Sequence, residues 1–108
     1  MEVSEIADLV ESFRKAARSA VDCGFNGIEI HGANGYVIDQ FLKSSCNKRT
    51  DAYGGCVANR CRFCLEVLDA IVEVCAGYHR YLTFLKVLSS QITCQNLSEY
   101  RKLRTCIP

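Results

Sequence analysis

His31, Asn34 and Tyr36 stand within one short run, Ile30-His31-Gly32-Ala33-Asn34-Gly35-Tyr36. An imidazole N–H and an amide N–H are both donors, and together they can grip a single carbonyl or phenolate oxygen. A phenol of ordinary high pKa beside them can deliver a proton to carbon. Gly32 and Gly35 let backbone and ligand approach closely. The plainer reading of the same residues is a satisfied core histidine followed by an Asn-Gly turn, and spacing alone favours that reading.

Eight cysteines in 108 residues open a second line of chemistry. The even count suits a disulfide framework. Against it, the amphipathic segments can bury a core without staples and no secretory signal precedes them, so free, mostly buried thiols in a reducing cytosol are expected. Cys56-x4-Cys61-x2-Cys64, with Cys94 after 29 more residues, has plant-type ferredoxin spacing. A cluster loop must wrap non-helically around small residues. Here Val57-Ala58-Asn59-Arg60 and Arg62-Phe63 intervene, bulky and helix-compatible, and Cys61 and Cys64 share an apolar face with Leu65 and Leu68. They read as core thiols, and Cys61-x-x-Cys64 lies within a helix rather than at the start of one, where a redox pair belongs. His79 is a single histidine in Tyr78-His79-Arg80-Tyr81 and makes no metal site. Arg101-Lys102-Arg104 reads as a solvated, charged terminus.

The elements that must position these residues follow from periodicity. Ile6, Leu9, Val10, Phe13, Ala16, Ala17, Ala20 and Val21 make one apolar stripe and predict a helix over 5–22. Ser4 or Asp8 suits its first turn. Acids come early and bases late, in accord with the helix dipole, and Gly24 is a natural left-handed cap. Residues 27–31 are short, β-branched and bounded by glycines, which predicts a strand. Helix, glycine turn and strand make an αβ unit of a parallel sheet, where ligands meet the chain just past the strand's C-terminal end. His31 and the residues after it occupy that place. Val37, Ile38, Phe41 and Leu42 suggest a short helix. Residues 43–56 read as a long polar loop, a length that is often functional. Cys61, Cys64, Leu65, Leu68, Ile71, Val72 and Cys75 predict a helix over 57–76. Tyr78, Tyr81, Leu82, Leu85 and Leu88 are again helically spaced, and from Ser89 to Pro108 the pattern fades to coil with some helix.

Apolar residues make up 49%, charged residues 23%, and mean hydropathy is +0.03, an ordinary globular composition. The net charge of +1 argues for no nucleic-acid partner. No apolar run spans a bilayer, and the acidic start Met1-Glu2-Val3-Ser4-Glu5 is no signal peptide, so no membrane role is expected and a cytoplasmic location is. The charge is unevenly placed. Residues 1–77 hold 8 Lys+Arg and 11 Asp+Glu; residues 78–108 hold 5 and 1. All 7 glycines lie between Gly24 and Gly77. Two parts are expected, 1–77 and a divergent tail over 78–108.

Several motifs in order point further. Phe13-Arg14-x-Ala16-Ala17-Arg18, Gly24-Phe25-x-Gly27-Ile28-Glu29-Ile30-His31-Gly32-Ala33-Asn34-Gly35-Tyr36 and Asp39-Gln40-Phe41-Leu42 closely resemble the Old Yellow Enzyme family. So do Asn47-x-Arg49-Thr50-Asp51-x-Tyr53-Gly54-Gly55 and Asn59-Arg60-Cys61-Arg62-Phe63. The nearest branch looks like the 12-oxophytodienoate reductases, and the match runs over about residues 5–76. The resemblance implies a (β/α)8 TIM barrel, which needs roughly 250 residues. A chain of this length is therefore expected to be an α/β fragment of one, helix–strand–helix–helix, with β edges left open.

The resemblance also implies a flavin ene-reductase of oxylipin, fatty-acid and lipid metabolism. Such an enzyme carries FMN, is reduced by NADPH, and reduces the C=C bond of a small-molecule enone. Carried over by position, His31 and Asn34 hold the substrate carbonyl oxygen, with Gly32 and Ala33 between them, and Tyr36 is the proton donor. Asn34 stands where the nearest branch often has a second histidine. Cys56 replaces a usual serine and Cys64 an apolar residue. The family's flavin-contact segments lie outside the matched stretch, so no residue is assigned to FMN. Two functions follow: an ene-reductase by family that is inactive as this chain, or a non-enzymatic remnant or interaction module that self-associates through its barrel edges.

Overall fold

A computed structural model describes residues 1–77 and 81–86. The elements run α1 (Val3–Asp22), β1 (Gly27–His31), α2 (Val37–Leu42), α3 (Val57–Gly77) and β2 (Tyr81–Lys86). The two strands are parallel neighbours, and the chain passes between them through α2 and α3. The described residues thus form an α/β unit of two strands and three helices, not a closed barrel.

The helices lie where the apolar periodicity places them. α1 begins at Val3, two residues before the predicted start. Neither Ser4 nor Asp8 serves its first turn; the Glu5 carboxylate accepts the Glu2 N–H instead. Its C-terminus closes as a Schellman motif. The Phe25 N–H donates to Ala20 C=O at 3.1 Å and the Gly24 N–H to Val21 C=O at 3.0 Å, with Gly24 at φ 94. α1 packs mainly on α3, with Ile6, Ala17 and Val21 buried against Phe63, Val67 and Ile71. Phe63 is fully buried and lies 4.5 Å from Phe41 of α2, centroid to centroid. Burying such a ring contributes roughly 1.5–3 kcal/mol.

Residues 43–56 are a polar tie between α2 and α3. Asn47 Nδ2 donates to Phe41 C=O and Tyr53 C=O, both at 2.7 Å. Arg49 pairs with Asp51 at 2.5 Å, and Asp51 Oδ1 accepts the Tyr53 N–H at 3.0 Å. Arg60, from α3, donates to Leu42 C=O at the end of α2 and to Gly55 C=O. Gly54 passes so close that a Cβ there would lie 2.1 Å from the Arg49 carbonyl oxygen. The long loop foreseen from its polarity is thus a structural knot.

The structure corrects three expectations. The helical spacing beginning at Tyr78 does not produce a helix over 81–86; those residues are β2. Tyr, Thr and Phe suit a pleated strand, and the open N–H and C=O groups of β1 need a partner. β1 is accordingly not a lone strand: Gly27 pairs with Tyr81 and His31 with Lys86, with a bulge between Ile28 and Ile30. The cysteines among the described residues are also less buried than expected. Cys64 and Cys75 are buried and Cys61 half-buried, but Cys23, Cys46 and Cys56 are exposed, because each sits at a helix end or in a turn. Cys61 and Cys64 stand inside α3, whose amides are engaged in the helix ladder and cannot face cluster sulfides. The readings of His79, Cys94, Arg101-Lys102-Arg104 and the coil from Ser89 to Pro108 lie outside the described residues. Among the described residues no helix is long and apolar enough to cross a membrane.

Three outcomes are expected. Asn47→Ala leaves two carbonyls without their donor and costs roughly 1–3 kcal/mol, read from urea unfolding. Acid acts on the same knot. The Arg49 guanidinium, with the Tyr53 N–H, holds the Asp51 carboxyl below its ordinary value. Its stabilisation is complete above the unfolded-state value of about 3.9 and is lost as pH falls through the lower folded value. Melting temperature should therefore hold down to about pH 5 and fall below about pH 4. Third, burial pushes the Cys64 thiol up to about 12. Iodoacetamide at pH 8 with per-site mass spectrometry should label Cys23, Cys46 and Cys56 first and Cys64 only on unfolding.

Candidate functional site

The site grows out of the alternation of β1. Ile30 is buried and Ile28 half-buried against the helices, whereas Gly27, Glu29 and His31 are exposed. Successive strand side chains point to opposite faces. The helix layer therefore claims Ile28 and Ile30, and the opposite face carries Glu29 and His31. His31 is the last residue of the strand, at the C-terminal end where α/β sheets meet ligands.

Past His31 the chain turns sharply. Gly32 and Ala33 are buried. Asn34 has φ 59 and Gly35 φ 78, and the Tyr36 N–H donates to Ala33 C=O at 3.3 Å. Two successive positive φ values at the centre of a four-residue turn are the type I′ pattern, which favours Asn-Gly. Asparagine is one of the few L residues that enters this region readily. Tyr36 is the N-cap residue of α2 and is 64% exposed. Its ring lies 5.4 Å from that of His31, tilted by 60°. The structure thus sets His31 and Tyr36 ring against ring, with Asn34 on the turn between them. No hydrogen bond joins the three side chains among the described residues. Of the plainer reading, the Asn-Gly turn is present, whereas His31 is an exposed rather than a core histidine.

Sequence reasoning quoted Asp39 in a motif but gave it no role. It is only 2% exposed, and its Oδ2 accepts the Gly35 N–H at 2.8 Å and the Lys43 ammonium at 2.6 Å. Lys43, then the Gly35 N–H, hold its carboxyl below the ordinary value against the opposing effect of burial. Gln40 Nε2 donates to Gly35 C=O at 2.5 Å. The available signal was an acid four residues after a glycine, in the first turn of a helix.

A cavity of about 400 Å³ opens between α1 and β1. Phe13, Ala16, Ala20 and Ile71 give it apolar walls, and consecutive β1 residues from Ile28 to His31 complete it with Tyr36, so it follows the flank of the strand rather than one face. An apolar wall with a few convergent polar groups is the character of a small-molecule site. The lining of this cavity holds no lysine or arginine. A bound phosphate needs free cations or a cradle of amides. Of the described cations, Arg14 pairs with Glu73, Lys43 with Asp39 and Arg49 with Asp51, while Lys15 and Arg18 lie exposed on α1. Arg60 and Arg62 hold backbone carbonyls, as does Lys48. Among the described residues no cluster of His, Cys, Asp and Glu has the form of a metal site.

This geometry agrees with comparisons to known proteins. The family model described as "NADH:flavin oxidoreductase / NADH oxidase family" matches residues 1–101. A 12-oxophytodienoate reductase 1 of Oryza sativa subsp. japonica is 52% identical over 80 residues, covering 74% of this chain and 21% of that protein. A Leishmania infantum protein named "Probable flavin mononucleotide-dependent alkene reductase" is 59% identical over 73 residues, 68% of this chain and 20% of its own length. The Old Yellow Enzyme homologue from Zymomonas mobilis superposes with a TM-score of 0.71 at 40% identity, over 81% of this chain and 23% of that one. The chain thus spans about a fifth to a quarter of the relatives it matches. With a matching model over most of its residues and the strand–turn–helix of that fold in place, the chain belongs to the NADH:flavin oxidoreductase / NADH oxidase family, in its Old Yellow Enzyme, 12-oxophytodienoate reductase-like branch.

Proposed function

We propose that residues 27–42 are the carbonyl-binding and proton-donating segment of an ene-reductase acting on an α,β-unsaturated carbonyl compound. The observation that carries this reading is the exposed pairing of His31 with Tyr36 beside the left-handed Asn34–Gly35 turn. In this role the His31 and Asn34 N–H groups donate to the enone oxygen. They draw electron density toward it and favour the enolate that forms as the β-carbon is reduced. Tyr36 protonates the α-carbon. Gly32 and Ala33 carry the backbone from strand to turn. The names of the relatives support a 12-oxophytodienoate-type enone of oxylipin metabolism as the substrate class, with FMN as the family's cofactor and NADPH as its reductant.

The cavity lining carries no lysine or arginine for a phosphate, so the proposal for this chain stops at binding the enone and holding a proton. Reduction needs the rest of a barrel. Catalytic groups must also be held within roughly half an ångström, and β1 has a strand neighbour on one edge only among the described residues. Residues 1–77 carry the site, and 78–108 are proposed as a divergent tail. A second reading is an interaction module that self-associates through the remaining edge of β1. It draws on the exposure of Phe25, at 65%, just before the strand.

Purified chain incubated with FMN, NADPH and 2-cyclohexenone should give a colourless protein and no enone-dependent NADPH oxidation. Oxidation that disappears in Tyr36→Phe would show that the chain, alone or as an oligomer, completes the site.

A further inference from the structure

The carbonyl grip depends on the conformation of residues 33–36, and those residues hold it poorly by themselves. Asn34 is a non-glycine residue at positive φ, and the hydrogen bond closing the turn is long at 3.3 Å. Two side chains of α2 supply what the turn lacks. Asp39 takes the Gly35 N–H and so fixes the peptide joining Asn34 to Gly35. Gln40 donates to Gly35 C=O and so fixes the peptide joining Gly35 to Tyr36. Both peptide planes flanking Gly35 are thereby tied to the helix that follows.

We propose that Asp39, paired with Lys43, is a positioning residue that locks the Asn34–Gly35 turn and thereby sets where Asn34 and Tyr36 point. What the turn binds rests on the reading under Proposed function; the lock itself does not. A carboxylate this deeply buried is costly unless it is paired and hydrogen-bonded. Asp39 meets both conditions through one oxygen, Oδ2, which receives the Gly35 N–H and Lys43 Nζ together. The helix repeat makes this economical, since Asp39 and Lys43 are four residues apart on one face. Lys43 stays partly exposed, with 41% side-chain accessibility, and reaches the carboxylate from the solvent side. The charged and titratable groups acting on Asp39 are Lys43 from its own helix and His31 from β1; both favour its ionised form, as does the Gly35 N–H. A helix-capping role alone would bring a carboxylate at this position to the N-cap N–H, that of Tyr36. Asp39 reaches one residue further, into the turn.

The test is nuclear magnetic resonance on the ¹⁵N-labelled full chain, with no ligand present. In the unmodified chain the Gly35 amide proton should be shifted by its carboxylate partner. On acidification it should move with one inflection below the ordinary carboxylate range, and Lys43→Met should raise that inflection. Asp39→Ala should speed Gly35 amide exchange by at least about tenfold, the factor expected for one lost hydrogen bond to a charged group. The cross-peaks between the His31 and Tyr36 rings should weaken, while those of Phe41 with Phe63 persist. Asp39→Asn, which keeps an acceptor, should restore much of the Gly35 protection. A Gly35 amide that is random-coil, or indifferent to acid, in the unmodified chain overturns the proposal without any variant. An unchanged ring–ring cross-peak in a folded Asp39→Ala chain overturns it as well. Loss of enone binding with these signals intact overturns the functional reading and leaves the lock standing.

Discussion

A parallel strand can satisfy its backbone only through neighbouring strands, and it reaches the next parallel strand only by a long crossover. β1 lives under that constraint. Its partner β2 lies beyond α2, the polar loop and α3, so the register of five residues depends on how some fifty residues between the strands are folded. The crossover must be rigid for the pairing to be specific. Rigidity comes from the apolar seam of α3 and from the polar knot that joins it to α2. Much of the knot consists of side chains that serve backbone carbonyls, Asn47, Arg60 and Arg62 among them, beside the Arg49–Asp51 pair. That is the arrangement needed where a long loop leaves main-chain acceptors without a helix or sheet partner.

The two faces of β1 divide structure from chemistry. Ile28 and Ile30 face the helices, so changing them disturbs packing. Glu29 and His31 alternate with them and are exposed, and apolar packing does not require them to be polar. An ordinary parallel strand buried on both faces reads as a continuous apolar run. Gly27-Ile28-Glu29-Ile30-His31 alternates instead. The alternation marks a face reserved for something other than hydrophobic packing, and the turn after His31 opens toward it.

Much of this was legible in the residues. Apolar spacing placed α1 and α3 within two residues at each end, because both helices bury one continuous stripe. Gly24 was readable as a left-handed cap because few residues other than glycine adopt that conformation cheaply. The order of β1, turn and α2 was readable because glycines bound the strand and the turn and an apolar run follows them. What escaped was whatever depends on contacts distant in sequence. The spacing of Leu82 and Leu85 fits a helix as well as a strand, and only the open edge of β1 decides between them. The exposure of Cys23, Cys46 and Cys56 depends on where helix ends fall on the surface, which composition does not record. Asn47, Arg49 and Asp51 were visible as a motif, but their partners were not. A polar loop signals function and structural bonding with the same residue types.

Asn34 shows how tightly local geometry and chemistry are joined here. The position demands a residue that accepts φ near 60°, and the proposed grip adds the need for a hydrogen-bond donor beside His31. Asparagine and histidine both enter the left-handed region more readily than other donors. Lysine and arginine carry donors but no such local compatibility, and glycine has the compatibility but no donor. Either asparagine or histidine at this position would therefore meet both requirements at once. The choice between them alters the reach and basicity of the donor, since an amide does not take up a proton near neutral pH whereas an imidazole does. In the proposed grip, His31 is thus joined by a donor whose charge does not change with pH.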